Sequence, residues 1–454
     1  MNYPKIIFIV IFIFFLGLFL HNAWYFPHKY GYDAGLHYKY LETIVIKKKI
    51  PTPEDTKSSY NPPLYYFLSS RIIPFFVPLF NGDLWEAEKV WILITACFAP
   101  LIGFFWFDIF RKLNPRAGWL AYLLLIWLLS FPTLNKMLPM YNYEVFQLIL
   151  VSFTIWFFIK FFLEKTQINL VIWLGIFTGF LLLTRIMSSS LVLSIFITIL
   201  LLWWWKKISF KKMLILNLIF ILITLAIGGW FYYFYKDQGV FLSGENPKDF
   251  KGIPILKRQP RSFYTETFFH LSMKAPVRPN FYNRFIPIFY SDFWGDYWNY
   301  YRHRRFPLSP EEEQKIPTWR EKISASRLLV LAWQNRINLI PTLIILAGFI
   351  WAFLTSIISI IKRSKNLTYQ NISENFLVIF FLIAFSGFFY ANLEFPNLYK
   401  GDTIKSAYIL FAIPILFFFG TKFLMQLGKI KAIFYLLVII VFISILFNLH
   451  FDYY

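Results

Sequence analysis

The sequence predicts an all-α polytopic membrane protein, and three observations predict it. Of 454 residues, 58% are apolar and 22% aromatic, with mean hydropathy +0.55. A soluble domain has no interior for that much apolar surface, whereas a bilayer absorbs it along helices whose backbone groups pair internally. Only 15% of residues are charged, against roughly 25% in soluble domains. Apolar runs of span length alternate with short loops, and the strongly basic loops fall at every second one, as the positive-inside bias requires. The net charge of +21 therefore belongs to topology and anionic lipid, and no nucleic-acid partner is expected. The single cysteine, Cys97, lies in an apolar run and excludes an intrachain disulfide.

Residues 6–20 follow Lys5 and resemble a signal peptide, but no small-x-small cleavage pattern comes after them. His21-Asn22-Ala23-Trp24-Tyr25 reads as an interfacial aromatic belt, so a retained first span is expected. A polar outer loop, 22–88, comes next. Within it 64–80 is apolar but carries Arg71, Pro74 and Pro78. Counting it as a span would put the basic loop 111–116 outside, so it is expected to lie along the interface. Lys47-Lys48-Lys49 is read as the solvated face of another interfacial helix. Spans are then expected at 89–110, 117–133, 143–162, 168–184, 188–205, 213–235, 338–361, 376–390, 406–419 and 432–449. That makes about eleven, with the N-terminus inside and the basic loops on one side. The division is an N-terminal module, 1–235, a long aromatic and basic outer loop, 236–336, and C-terminal membrane helices, 337–454. No repeat of roughly 20 to 50 residues appears, and no matched pair of broken helices that would mark an inverted-repeat transporter.

The ionisable groups expected on the outer side are few. Asp33 and His37 are four apart, so a helix starting near Asp33 puts both on one face; the simpler role for Asp33 is an N-cap. Glu144 follows Tyr141-Asn142-Tyr143 and opens a span, where a carboxylate is expensive unless it lines a cavity or has a partner. Its plainer role is a helix N-terminal charge, worth about 0.3–1 kcal/mol. Arg185 ends the fifth span, where simple snorkelling to the interface is the alternative, and Lys405 is similar. The long loop carries Phe289-Tyr290-Ser291-Asp292-Phe293-Trp294-Gly295-Asp296-Tyr297-Trp298-Asn299-Tyr300-Tyr301-Arg302. Aromatic rings beside carboxylates and amides suit sugar binding, and they equally suit a segment half sunk in the interface. The sequence holds no metalloprotease His pair, Walker A loop or Rossmann glycine fingerprint. The acceptor sequons at Asn366 and Asn371 fall on the inner side and are read as chance.

Four motifs, with the order of the spans, resemble the GT-C fold of integral-membrane glycosyltransferases. They are Gly31-Tyr32-Asp33-Ala34-Gly35-Leu36-His37-Tyr38, Tyr60-Asn61-Pro62-Pro63-Leu64-Tyr65-Tyr66, Tyr141-Asn142-Tyr143-Glu144, and Lys405-Ser406-Ala407-Tyr408 through Pro414. Within that fold the chain is most similar to the protein-mannosyltransferase and lipid A aminoarabinose-transferase branch. The resemblance covers roughly 1–190 and 405–414, and reaches the long loop only through Phe293-Trp294-Gly295. Two positions depart from the pattern: Ala34 stands where many members have Glu, and Asn61 where many have His.

The resemblance implies a multi-pass protein of the plasma membrane with an outward-facing site. It implies a polyprenyl-phosphate-linked sugar donor and a glycan, lipid or protein acceptor. Asp33 is the expected base, reaching the acceptor hydroxyl at about 2.6–3.2 Å, with His37 or Tyr32 holding it. Arg185, Lys405 and basic members of the long loop are expected on the donor phosphate. Glu144 is the second carboxylate, contacting sugar hydroxyls or helping to hold a metal. Asn61, Tyr65, Asn142 and Trp294 are expected to bind substrate or support the site. A divalent ion, Mg or Mn, would fall to Asp33 and Glu144, and Ala34 removes one carboxylate from that set. Two other classes fit the spans alone. A transporter of a lipid or amphipathic solute predicts repeat symmetry and mid-bilayer charges, of which the spans are almost free; a non-catalytic envelope-assembly protein has no need of Asp33 and Glu144 on one side.

Overall fold

Every regular element among the described residues of the computed structural model is helical. These residues are 3–27, 29, 31–235, 252–267, 269–278, 283–299, 325–362, 367–396 and 404–449. Residues 236–251 and 300–324 of the expected long loop, with Tyr300, Tyr301 and Arg302, lie outside them, as does Asn366. The chain runs through α1 (Tyr3–Tyr25), α2 (Ala34–Lys47), α3 (Leu64–Ile72), α4 (Leu84–Phe98), α5 (Pro100–Leu113), α6 (Leu120–Leu129), α7 (Pro132–Met137), α8 (Glu144–Phe157) and α9 (Ile168–Leu182). It continues through α10 (Ser189–Trp204), α11 (Phe210–Tyr235), α12 (Phe285–Trp294), α13 (Ala325–Ile337), α14 (Leu339–Ile361), α15 (Tyr369–Glu394), α16 (Pro414–Leu427) and α17 (Lys431–Asn448), with shorter turns between.

Among the described residues, eight helical stretches are long and apolar enough to cross a membrane: Lys5–Tyr25, Leu84–Leu113, Glu144–Lys165, Ile186–Trp204, Phe210–Tyr235, Leu328–Ile361, Tyr369–Glu394 and Lys431–Asn448. This is a multi-pass, all-helical chain suited to a lipid bilayer. Three of the expected segments are not single long helices, and prolines account for two of them. At 1.5 Å per residue the ten residues of α6 fall well short of a hydrocarbon core about 30 Å thick. Pro132 lies just past its end and biases Phe131 to the extended backbone it adopts, at φ −62° and ψ 124°. Pro414 separates the 3₁₀ segment Ser406–Ala412 from α16, and the two meet at 62°. The third, α9, is apolar throughout but short.

Residues 64–80 fold as α3 followed by two 3₁₀ turns, each with a proline in its opening, too short to cross and with Phe75 and Leu79 largely exposed. Lys47 closes α2 rather than lining its face, Lys48 takes left-handed φ 55°, and Lys47 and Lys49 grip the two oxygens of Asp55 at 2.7 Å each.

Contacts sort the helix ends into two sets. Lys112 reaches the Lys160 carbonyl at 3.0 Å and Glu164 at 2.7 Å, Lys212 reaches Thr166 at 3.0 Å, and the Trp204 indole faces the Ile360 carbonyl at 3.4 Å. At the other end, Leu64 N–H donates to the Leu183 carbonyl at 2.9 Å, Tyr143 to Asn61 at 3.0 Å, and Arg258 pairs with Glu394 at 2.8 Å. The basic loops share the first end, which is the grouping their alternation predicts.

Helices approach closely where glycine leaves room, as lipid-embedded bundles favour. A Cβ on Gly228 would lie 2.6 Å from the Gly179 carbonyl, so α9 and α11 touch backbone to backbone, and one on Gly348 of α14 would run into the Phe419 carbonyl of α16. Gly348→Ala is expected to lower thermal stability in detergent by about 1–3 kcal/mol through overpacking. Gly17→Ala, where an added Cβ meets nothing within 4 Å, serves as the control and should be neutral.

Candidate active site

The polar end of the bundle is built around the turn before α2. Asp33 occupies the N-cap position but has left-handed φ 52°, and its side chain makes no capping hydrogen bond. Capping uses the extended backbone, so the simple cap role does not hold. A non-glycine residue held there stores strain of order 1–3 kcal/mol, a feature that clusters at functional sites. The carboxylate is 51% exposed, and its Oδ2 is 4.0 Å from the Lys405 ammonium.

Glu144 and Arg185 are both buried and paired, Nη1 to Oε1, at 2.9 Å. Arg185 therefore does not snorkel to the interface; its guanidinium lies over the rings of Tyr143 (5.1 Å) and Tyr408 (4.6 Å). The Lys405 ammonium is 5.4 Å from the same Tyr408 ring, 4.9 Å from Tyr32 and 5.8 Å from Trp298. One tyrosine thus brings the two cations together. Asn142 accepts from the Glu144 N–H at 3.2 Å and so supports the start of α8. Asn61 accepts the Tyr143 hydroxyl on its side chain and the Tyr40 hydroxyl on its carbonyl, at 3.0 and 2.9 Å.

His37 lies behind this cluster, its Nδ1 bonded to the Tyr66 hydroxyl at 2.5 Å and the Tyr143 ring edge-on at 5.6 Å. Burial pulls its pKa down to about 4; Asp33 opposes that shift, and Arg185 and Lys405 add to it. The imidazole is therefore neutral at physiological pH, and its Nδ1 is committed to Tyr66. The Tyr60 phenol is pushed up, first by burial, and responds to Tyr408, Asp33, Arg185 and Lys405, which places these groups in one electrostatic neighbourhood.

Two expected residues sit elsewhere. Trp294 is fully buried: its indole donates to Thr342 at 2.6 Å and its ring packs on Phe131 and Phe417. Tyr65 fills an aromatic core with Trp91, Tyr141 and Phe146, one layer behind Tyr66. In the long loop it is Trp298 whose ring reaches the Lys405 ammonium, with its indole N–H on the Ile404 carbonyl at 3.3 Å.

Sequence reasoning missed the pair beneath the site. Lys136 of α7 meets Asp292 of α12 at 2.5 Å, both side chains almost wholly buried. The other Asp292 oxygen accepts the Ser406 N–H and hydroxyl at 2.7 Å each, and the Tyr32 hydroxyl donates to Asp292 at 3.3 Å. The available signal was Lys136 itself, a charge just past an apolar run that must find a partner if buried. The two carboxylates expected to share a divalent ion each face a cation: Asp33 stands 4.0 Å from Lys405, and Glu144 is paired with Arg185 at 2.9 Å.

Asp292→Ala leaves Lys136 charged in the interior, and a loss of about 3–5 kcal/mol is expected. Asp292→Asn keeps an acceptor for Ser406 and should cost less, as thermal denaturation in detergent would show. The His37 pKa of about 4 lies below the 6.5 of an unfolded histidine. The unfolded chain therefore takes up a proton first, so stability is full above pH 6.5 and falls as pH drops toward 4, by at most roughly 3 kcal/mol. A melting-temperature profile of His37→Gln should be flatter than wild type between pH 6.5 and about 5.

The chain matches no protein-family model and no curated protein.

Proposed function

We propose that the chain is a GT-C-type glycosyltransferase of about eleven spans, working at the outer face of the plasma membrane. In this reading it moves a sugar from a polyprenyl-phosphate donor to a hydroxyl of a glycan, lipid or protein. The observation that carries it is the convergence of Asp33, Glu144, Arg185 and Lys405 from four distant segments onto the rings of Tyr143, Tyr408 and Tyr32. A transporter would place its charges near mid-bilayer; these sit at helix ends.

The reaction joins an acceptor oxygen to the anomeric carbon while the bond from that carbon to the phosphate oxygen breaks. Asp33 takes the acceptor proton, being exposed enough to meet a substrate and not engaged in capping its own helix. The bonding pair leaves with the phosphate, whose growing charge meets Lys405 and the Arg185 N–H groups not used by Glu144. Glu144 Oε2 and Asn142 Nδ2 are buried without a hydrogen-bond partner. One is an acceptor and the other a donor, so sugar hydroxyls would satisfy both.

The test is turnover in nanodiscs with a defined polyprenyl-phosphate sugar. Asp33→Asn should fold normally and lose about 10²- to 10⁴-fold in rate; unchanged turnover would overturn the base assignment. Arg185→Ala would strand Glu144 and mix stability with chemistry. Arg185→Lys keeps the charge but loses the planar fork, and weaker donor binding in a folded protein is the expected result.

A further inference from the structure

We propose that a groove on the flank of the first outer loop binds one anionic phospholipid, apart from the site just described and independently of that functional reading. The groove encloses about 430 Å³, within the roughly 300–1,000 Å³ of ligand pockets. Its walls include Val45 of α2, Phe67 of α3, Leu183 after α9 and Trp230 of α11, and its rim carries Lys48, Lys49 and Arg71. Phe67 and Trp230 are 45% and 43% exposed, and Ile46 and Tyr233 nearby in sequence are more so. Such a surface is stable only against hydrocarbon.

The rim decides the kind of lipid. Asp55 is occupied by Lys47 and Lys49 at both oxygens. Lys48 and Arg71 form no ion pair among the described residues, and Arg71 lies over the Phe67 ring at 4.7 Å, at the edge of the apolar trough. Two cations beside a trough complement an amphiphile with an anionic head and an apolar tail. A soluble anion has no use for the trough, a buried protein helix none for the cations, and a zwitterionic head sets its own cation against theirs. None of Asp33, Glu144, Arg185 or Lys405 lines the groove, so its phosphate is not the one proposed for the donor. A lipid seated here would brace α2 against α3, the helices that carry His37 and Tyr66.

The experiment uses the full-length protein in mixed micelles of phosphatidylglycerol and phosphatidylcholine, read by native mass spectrometry and by melting temperature. Wild type should retain one phosphatidylglycerol and melt higher in its presence. Lys48→Asn, which suits the left-handed backbone there, combined with Arg71→Gln should reduce that preference about 30-fold, the loss of two cations near an anionic head. Its melting temperature in phosphatidylcholine should stay unchanged. Val45→Trp fills the trough and should abolish retention with the rim intact, which decides the matter if the double variant folds poorly. Equal preference in wild type and the double variant would overturn the proposal. So would displacement of phosphatidylglycerol by an equal concentration of polyprenyl phosphate, which would give the groove to the donor.

Discussion

The site depends on one buried carboxylate. Asp292 is wholly removed from solvent, a position that costs several kcal/mol for an ion unless its lone pairs are filled. Four donors fill them: the Lys136 ammonium, the Tyr32 hydroxyl, and the N–H and hydroxyl of Ser406. They come from α7, the first outer loop and the turn before α16, while Asp292 belongs to α12. Charged hydrogen bonds fix these segments in register because they tolerate little change in distance or angle. Tyr32 precedes Asp33 and Ser406 follows Lys405, so the same hub sets the positions of both members of the exposed pair.

The three ion pairs differ in how tightly they are made, and the difference sorts their roles. Lys136 and Asp292 are in contact and sealed, and Arg185 and Glu144 are in contact, with the guanidinium over two tyrosine rings. Asp33 and Lys405 stand 4.0 Å apart, the carboxylate half in solvent. A sealed pair has little capacity to exchange partners. A loose pair with an exposed carboxylate would admit a substrate group between its members, which is why the proposed function gives proton transfer to Asp33 and a binding role to Glu144.

The charged members of the site were legible in the sequence because charge near an apolar span is rare and must be explained. Glu144, Arg185 and Lys405 stood out for that reason, Asp33 and His37 for their four-residue spacing in a polar loop, and all five lie in one neighbourhood. The aromatic members were not legible in the same way. In a segment as rich as Phe289 to Trp298, composition does not say which ring meets the core, and a helix end between Trp294 and Trp298 sends one to Thr342 and the other toward Lys405. Lys136 was passed over because it sits beyond the end of an apolar run, where a lysine ordinarily reaches water; only its partner 156 residues away turns it inward.

The broken helices are the means by which polar groups reach the site. Backbone that leaves the helical ladder at membrane depth survives only where protein covers it. The break after α6 and the 3₁₀ segment before α16 cover one another: the Thr133 and Ser406 hydroxyls meet at 2.9 Å, both fully buried, and Thr133 also donates to the Phe293 carbonyl at 2.9 Å. A straight helix from 406 through 427 would carry Tyr408 around the axis at about 100° per residue, without the bend at Pro414 that seats its ring on Arg185. The bend between Ser406–Ala412 and α16 and the seating of Tyr408 in the cation cluster therefore belong to one segment.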